Sequence, residues 1–335
     1  MNKILWFFFF FLGAVCFGYL ALQNGETVSA MYLVVAAVCI YMIGYRFYGR
    51  FIAYKVLELD KNRATPAVVQ DDGRDFVPTN KSVLFGHHFA AIAGAGPLVG
   101  PILAAQMGYL PSMLWILVGG VFAGAVHDFI VLFISTRRNG RSLGEMIKDE
   151  LGTFTGGVAM IAIFGIMLII IAILAMVVVK ALAESPWGLF TIAMTIPIAI
   201  FMGIYMRYLR PGKVGEASVI GFVLLILAIH YGSVIAADPV WAARFTFDAP
   251  TLAIIMMAYG FIAAVLPVWF LLAPRDYLST FLKIGVIVLM AIAIVIVAPE
   301  IQMPKTNSQY FNGTGPVFAG ALFPFLFITI ACGAI

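Results

Sequence analysis

Ten runs of apolar residues, each about as long as a membrane-crossing helix, alternate with polar segments along the chain. A bilayer core about 30 Å thick needs about 20 helical residues, because each residue adds about 1.5 Å. The runs lie at 4–22, 29–45, 86–108, 111–135, 156–180, 188–206, 216–236, 251–272, 279–298 and 316–335. The pattern predicts an all-α, polytopic membrane protein of about ten spans.

A hydrophilic segment at 54–85 divides the chain into two regions. It carries charges of both signs and prolines, and a loop of this length is either a plain linker or a gating element. The region before it, 1–53, contains the first two runs, and the first run is either an anchor or a signal peptide. The region after it, 86–335, ends on an apolar run, so we expect the protein to continue beyond Ile335.

Glycine and proline interrupt two of the apolar runs. The residues concerned are Gly94, Ala95, Gly96 and Gly100 in the first run and Gly260 and Pro267 in the second. Inside a helix Gly costs about 1 kcal/mol and Pro about 3 kcal/mol relative to Ala. The pattern therefore predicts broken helices near 94–101 and 260–267, in matching positions of two halves, whose exposed backbone groups bind a substrate. Close packing of small residues with proline kinks is the alternative.

Composition and charge agree with a membrane protein and indicate its orientation. The chain is 63% hydrophobic and 11% charged, against about 25% charged residues in soluble domains. With a cytoplasmic N-terminus and alternating spans, seventeen Lys and Arg residues lie inside and three outside. This satisfies the positive-inside rule. The net charge of +4 follows from the asymmetry, so no nucleic-acid partner is implied.

Motifs for catalysis or cofactor binding do not stand out in this sequence. There is no GxxxxGK[ST] phosphate loop, and the cysteines and histidines lack metal-ligand spacing. We therefore predict that the chain is not an enzyme and needs neither a cofactor nor a metal.

Asp128 is the one acidic residue predicted to lie deep in a span. It precedes Thr136, at the end of its run, by eight residues, which is about 12 Å along a helix. A carboxylate near the bilayer midplane usually faces a cavity or a partner. Asp128 is either the proton-coupling residue or a structural residue bonded to unwound backbone.

Two polar motifs lie at the predicted cytoplasmic ends of spans. His87 and His88 precede the first interruption and either line an access path or are ordinary interfacial residues. The motif PRDY, Pro274 to Tyr277, is predicted to form either a tight cytoplasmic turn before the run 279–298 or a gate latch.

Several long motifs resemble one known family. They include VLFGHHFAAIAGAGPLVGPILAAQMGYLP, FAGAVHDFIVLFISTRRNGRSLGEMIK, VVVKALAESPWGLFT, LAPRDYLSTFLKIGVIV and GALFPFLFITIACGAI. From about Tyr32 onward the chain closely resembles the carbon starvation protein A (CstA) family of bacterial inner-membrane transporters. Within the family it is most similar to the branch described as pyruvate/proton symporters, while other members are described as peptide transporters induced on carbon starvation.

The resemblance implies an incomplete transporter core in 86–335, part of a five-plus-five inverted repeat. It implies import of a small carboxylate, pyruvate or a short peptide, with protons, across the cytoplasmic membrane during carbon or nutrient limitation. The expected partners are the substrate, the proton and the lipid bilayer, while the oligomeric state stays open. A channel or a membrane-embedded nutrient sensor is the alternative function.

Overall fold

The computed structural model describes residues 28–310, with the side chains of Ala95 and Leu98 excepted, and seven residues nearer the N-terminus. Those seven are Ile4, Phe7, Phe10, Phe11, Ala14, Val15 and Gly18. The predicted spans at 4–22 and 316–335 lie outside the continuously described residues. The chain forms two compact units: unit 1 comprises Met1–Arg63, Gly96–Leu132 and Val286–Ile335, and unit 2 comprises Ala64–Ala95 and Phe133–Gly285.

The described residues are mainly helical. In chain order the helices are α1 (Ala30–Ile43), α2 (Pro66–Val69), α3 (Lys81–Ile92), α4 (Ala95–Ala105), α5 (Tyr109–Gly119), α6 (Ala125–Arg137), α7 (Leu143–Leu151), α8 (Thr153–Leu182), α9 (Pro186–Ile204), α10 (Val214–Ala237), α11 (Pro239–Arg244), α12 (Ala249–Val265) and α13 (Leu272–Val297). Four π-helical segments lie at Gly44–Gly49, Ile52–Val56, Gly120–Gly124 and Tyr205–Leu209, and a 3₁₀ turn lies at Ser308–Tyr310. Within 28–310 the β structure is a single isolated bridge, between Ser29 and Glu300.

Six helices in the described part of the chain are long and apolar enough to cross a membrane. They are Ala30–Val56, Tyr109–Arg137, Thr153–Leu182, Pro186–Leu209, Val214–Ala237 and Leu272–Val297. Eight spans were predicted for the same residues. The difference arises because α3 and α4 divide the run 86–108, and because α12, in the run 251–272, is only 17 residues long.

Helix α8 has the surface of a lipid-facing helix. None of its most apolar 18-residue window is buried, and large side chains such as Ile161 (75% exposed) and Phe164 (63% exposed) lie on its surface. An apolar surface of this length is unusual in water-soluble proteins and is typical of a helix in contact with lipid.

The polar connection before α8 is ordered by local hydrogen bonds. Ser142 and Glu145 form a capping box at the start of α7, in which the Ser142 side chain accepts from Glu145 N–H and Glu145 accepts from Ser142. Hydrogen bonds from the Ser142 amide and hydroxyl lower the pKa of Glu145 below its ordinary value. Ion pairs from Arg138 to Glu150 and from Arg141 to Asp149 connect the ends of this segment.

Unit 2 has its main core where α9, α10 and α13 pack together. Met202, Leu225 and Leu278 are fully buried in this core. Gly203 of α9 approaches the turn before α13 so closely that an added Cβ would lie 3.0 Å from two backbone carbonyl oxygens, those of Trp269 and Phe270. Glycine at this position therefore lets the turn pack directly on the helix.

Unit 1 has a smaller core around the loop between α4 and α5. Ala104, Met107 and Tyr310 are buried there, and the Tyr310 hydroxyl donates to Gln106 Oε1 at 3.0 Å. Gly108 has a φ of +107° and lies against the backbone of 305–306, where a Cβ would clash at 2.6 Å. A glycine is therefore needed at this turn for both conformational and steric reasons.

Replacing Gly203 tests the packing of the turn before α13. We expect Gly203→Ala to destabilise the protein by about 1–3 kcal/mol, because the methyl group would force carbonyl groups away from α9. Thermal unfolding of the purified protein in detergent measures the change. Gly165→Ala in α8 is the matched control, since a Cβ there meets nothing within 4 Å. Equal unfolding temperatures for the two variants would contradict the expectation.

Candidate functional site

The first interruption is short and lies between α3 and α4. Helix α3 ends at Ile92 and α4 begins at Ala95. Between them, the Ala93 amide donates to Phe89 O at 2.8 Å and the Gly94 amide donates to Ile92 O at 2.8 Å. Proline is tolerated in the first turn of the new helix, because the first four N–H groups of a helix have no partner in that helix. The sequence AGP therefore restarts a helix directly after Gly94.

The interruption predicted at 94–101 is shorter in the structure, where only residues 93 and 94 lie between the two helices. Gly94 lies in the break, and Ala95 is the first residue of α4. Gly96 and Gly100 are helical, and Pro101 lies inside the helix. The amides of Ala95 and Gly96 are at the free N-terminus of α4, where an anion is favoured by N–H donors and by the helix dipole.

The second interruption separates α12 from α13. Leu266 is extended (φ −71°, ψ 149°) after α12 ends at Val265, as expected for a residue that precedes proline. Pro267 then begins a turn in which Pro267 O accepts from Phe270 N–H at 2.9 Å. Pro267 therefore lies in the break, whereas Gly260 is inside α12, five residues before its end.

The motif PRDY is helical, so the predicted cytoplasmic turn is wrong. Pro274 to Tyr277 lie within the first two turns of α13. Proline is accepted near the start of a helix, where its missing N–H is not needed. As a result Asp276 is the fifth residue and Lys283 the twelfth residue of a 26-residue membrane-length helix.

Helix α3 is held against α13 by polar contacts spaced along both helices. Thr280 Oγ1 donates to Gly86 O at 2.7 Å, and Lys283 Nζ donates to Ala90 O at 2.9 Å. His87 Nδ1 lies 2.8 Å from Asp276 Oδ2. We call this set of contacts the α3–α13 clamp.

Close packing at Gly86 accompanies these polar contacts. A Cβ on Gly86 would lie 2.4 Å from the Tyr277 ring, so glycine allows the two helices to approach. The Tyr277 hydroxyl in turn lies 2.7 Å from Ser218 Oγ of α10. The clamp is therefore part of the main core of unit 2.

The two histidines predicted to lie near an access path have different surroundings. The His87 side chain is 28% exposed and faces Asp276, whereas His88 is exposed on the surface of α3. The same two roles were predicted for both histidines. Their surroundings differ because adjacent helical residues point about 100° apart.

Asp128 lies in α6, just after the π-helical segment Gly120–Gly124, and belongs to unit 1. Its side chain is 33% exposed, and its Oδ1 lies 3.2 Å from His127 Nδ1. Asp128 is thus inside the membrane-length helix Tyr109–Arg137. The described contact of its side chain is with His127, the preceding residue.

The described residues contain no group of three or more His, Cys, Asp or Glu side chains placed to hold a metal ion. Among the described residues, Asp128 and Asp276 each lie beside one histidine instead.

Sequence comparison places the chain in a family. The model for carbon starvation protein CstA matches residues 29–335. The chain belongs to the carbon starvation protein CstA family. This result confirms the resemblance seen in the sequence motifs, and together with the six membrane-length helices it identifies a multi-pass membrane protein.

Curated relatives within the family carry two kinds of name. The chain is 88% identical over 334 residues to the peptide transporter CstA of Campylobacter jejuni, covering 100% of this chain and 48% of that protein. It is 67% identical over 335 residues to the peptide transporter CstA of Helicobacter pylori, covering 100% of this chain and 49% of that protein. It is 61% identical over 334 residues to the pyruvate/proton symporter BtsT of Escherichia coli, covering 100% of this chain and 46% of that protein.

The chain therefore spans about half the length of the curated relatives that it matches. No solved structure matches it significantly.

Of the α3–α13 clamp, sequence reasoning named His87 but missed its partners on α13. Asp276 was predicted to lie in a cytoplasmic turn, and Lys283 was counted among the inside charges near the start of the run 279–298, because the helix start was placed later than Leu272. The available signal was the ability of Pro274 to occupy the first turn of a helix, which would have extended α13 backward. The pairing with α3 had no local signal, since the bonded residues are more than 190 positions apart.

Removing one buried hydroxyl tests the clamp. We expect Thr280→Val to lower stability by about 1–2 kcal/mol, because the hydrogen bond from the buried Thr280 hydroxyl to the Gly86 carbonyl is lost. Thermal unfolding in detergent measures the change. Thr191→Val is the matched control, since the Thr191 hydroxyl donates to Trp187 O of its own helix. A control as destabilised as Thr280→Val would argue against a special role for the contact between helices.

Proposed function

We propose that this chain is part of a secondary active transporter that imports pyruvate or short peptides with protons across the cytoplasmic membrane. The observation that carries the proposal is membership of a family whose curated relatives are named peptide transporters and a pyruvate/proton symporter. The helix interruptions and the ionisable side chains inside membrane-length helices support it, because both features are common at transport sites.

The proposed architecture has about ten spans in this chain: two accessory helices in 1–53, then a linker at 54–85, then an incomplete core in 86–335 that belongs to a five-plus-five inverted repeat. The protein would lie in the inner membrane with its N-terminus in the cytoplasm. The unequal distribution of Lys and Arg supports this orientation.

The proposed substrate site uses backbone groups at the two interruptions. The amides of Ala95 and Gly96 would bind the substrate carboxylate, with Gly94 providing the break and Gly100 a surface without a side chain. Gly260 and Pro267 would shape the second interruption. Since pyruvate and peptides both carry a carboxylate, the same amides suit either substrate.

The proposed proton path involves three side chains named from the sequence. Asp128 would carry a coupling proton, supported by its position inside a membrane-length helix. His87 and His88, on α3 before the first interruption, would line the path by which protons or substrate reach the site.

Transport in liposomes tests the function and the role of Asp128 together. We expect the complete protein that carries this chain to accumulate labelled pyruvate or a labelled dipeptide only with an inward proton gradient. Asp128→Asn should lower this accumulation at least about tenfold while substrate exchange without a gradient persists, because the amide cannot carry the proton. Asp248→Asn, outside the spans, is the control.

Two results would contradict these assignments. Uptake of neither substrate by the parent protein would remove the transport function. Undiminished accumulation by Asp128→Asn would leave Asp128 a structural role.

Cysteine labelling tests the orientation. In a background without the native cysteines, we expect Arg63→Cys to react with an impermeant maleimide only when the cytoplasmic face is open to the reagent. Lys305→Cys should react from the opposite face, because the two positions lie on the two sides of the membrane under the positive-inside rule. Labelling of both from one face would contradict the span count.

A further inference from the structure

Three ionisable side chains of unit 2 meet at the α3–α13 clamp. His87 Nδ1 is 2.8 Å from Asp276 Oδ2, and Lys283, seven residues further along α13, lies on the same face of that helix as Asp276. Lys283 Nζ donates to Ala90 O, one turn beyond His87 on α3. The three side chains therefore line one seam between two helices.

One side of this seam belongs to a membrane-length helix. Helix α13 is a membrane-length helix, and Lys283 is near its middle. Charged side chains at this depth are costly, and those that occur usually pair with one another and serve ion or proton pathways. The presence of Thr280 is explained by its hydrogen bond between the two helices. Holding the helices together does not by itself require that a histidine face a carboxylate, as His87 faces Asp276.

The contact between His87 and Asp276 has the distance of an ion pair. His87 Nδ1 is buried, yet it makes no hydrogen bond of normal geometry in the described structure. The attraction between the two side chains therefore depends on the charge of the imidazole, and it strengthens when the imidazole is positively charged.

Charge counting shows what the cluster can bind. With a neutral His87, the carboxylate of Asp276 and the ammonium of Lys283 cancel. When a proton adds to Nε2, while Nδ1–H stays against Asp276, the cluster carries one net positive charge. Histidine is the side chain that changes charge in the physiological pH range.

We propose that His87 and Asp276 form a proton-binding site, with Lys283 as a fixed positive neighbour, that couples proton entry to the transport function proposed above. His87 takes the proton, Asp276 stabilises the imidazolium, and Lys283 limits the site to a single added charge. Because α3 ends at the first interruption, a stronger His87–Asp276 contact holds that end of α3 against α13.

The other titratable groups around the seam are engaged elsewhere. The Arg275 guanidinium lies 4.8 Å from the Tyr259 ring centroid and its Nε donates to Thr195 Oγ1. The Tyr277 hydroxyl is paired with Ser218. Lys81 lines the adjoining cavity. Within residues 28–310, Asp276 is thus the carboxylate that faces His87.

A cavity lies beside the α3–α13 clamp. It has a volume of about 550 Å³ and adjoins Gly86 and Thr280 of the clamp, while Lys81 and Ser82 line it at the N-terminus of α3. Most of its remaining lining is aromatic or aliphatic, with Phe85, Phe222 and Phe281 among the lining residues.

The test uses the complete protein in liposomes with labelled pyruvate and a labelled dipeptide. Two assays are compared: exchange of substrate without a gradient, from about pH 5.5 to about pH 8, and accumulation driven by an inward proton gradient. We expect His87→Gln and Asp276→Asn to lose accumulation at least about tenfold and to exchange substrate at a rate that no longer depends on pH. Asp276→Glu, which keeps the carboxylate, should restore part of the accumulation.

His230→Gln in α10 is the matched control and should behave like the parent protein, because His230 is an exposed helical histidine whose described contact is the Tyr231 ring. Parent-like accumulation and pH dependence in both His87→Gln and Asp276→Asn would overturn the proposal. Equal loss of exchange and accumulation at every pH, without rescue by Asp276→Glu, would also overturn it and leave the clamp a structural role. Failure of the parent protein to exchange either substrate would instead count against transport itself.

Discussion

A helix that stops inside a bilayer leaves backbone groups that lipid cannot satisfy. The structure meets this constraint at the end of α3 partly with a side chain of a second helix. Lys283 donates to the Ala90 carbonyl in the last turn of α3, where carbonyl groups have no partner within the helix. The negative end of the α3 dipole thus faces an ammonium group, which is the favourable arrangement for a helix C-terminus. Next to the break at Gly94, backbone amides serve the Phe89 and Ile92 carbonyls and α13 supplies the donor for Ala90.

The long membrane helices were predictable from the sequence, since an apolar run of about 20 residues has few alternatives in lipid. Helix α8 is the clearest case. The breaks were harder to locate, because glycine is accepted inside a well-packed helix and proline is accepted in a first turn. Gly260 and Pro274 illustrate the two effects. Gly260 lies inside α12 without breaking it, and Pro274 lies in the first turn of α13, which starts earlier than predicted.

The candidate site was predictable only where a residue was conspicuous in its own run. Asp128 is a single carboxylate in an apolar segment and therefore stood out. Asp276 and Lys283 follow a proline and an arginine, and such a polar cluster usually marks the end of a span. Their significance depends on which helix packs against α13, and that pairing is set by the fit of Gly86 against Tyr277. A local pattern carries no information about such a long-range contact.

The π-helical segment Gly120–Gly124 has a consequence for the residue that follows it. A π-helical turn holds an additional residue compared with an α-helical turn, so the two ends of the helix Tyr109–Arg137 are out of phase by about 100°. The direction in which Asp128 points is therefore decided by its upstream glycines as well as by its own helix. A deletion of one residue in this segment would restore a regular α-helix and turn the carboxylate toward a different neighbour. Within this helix, the direction of the Asp128 side chain depends on the number of residues that precede it as well as on their identity.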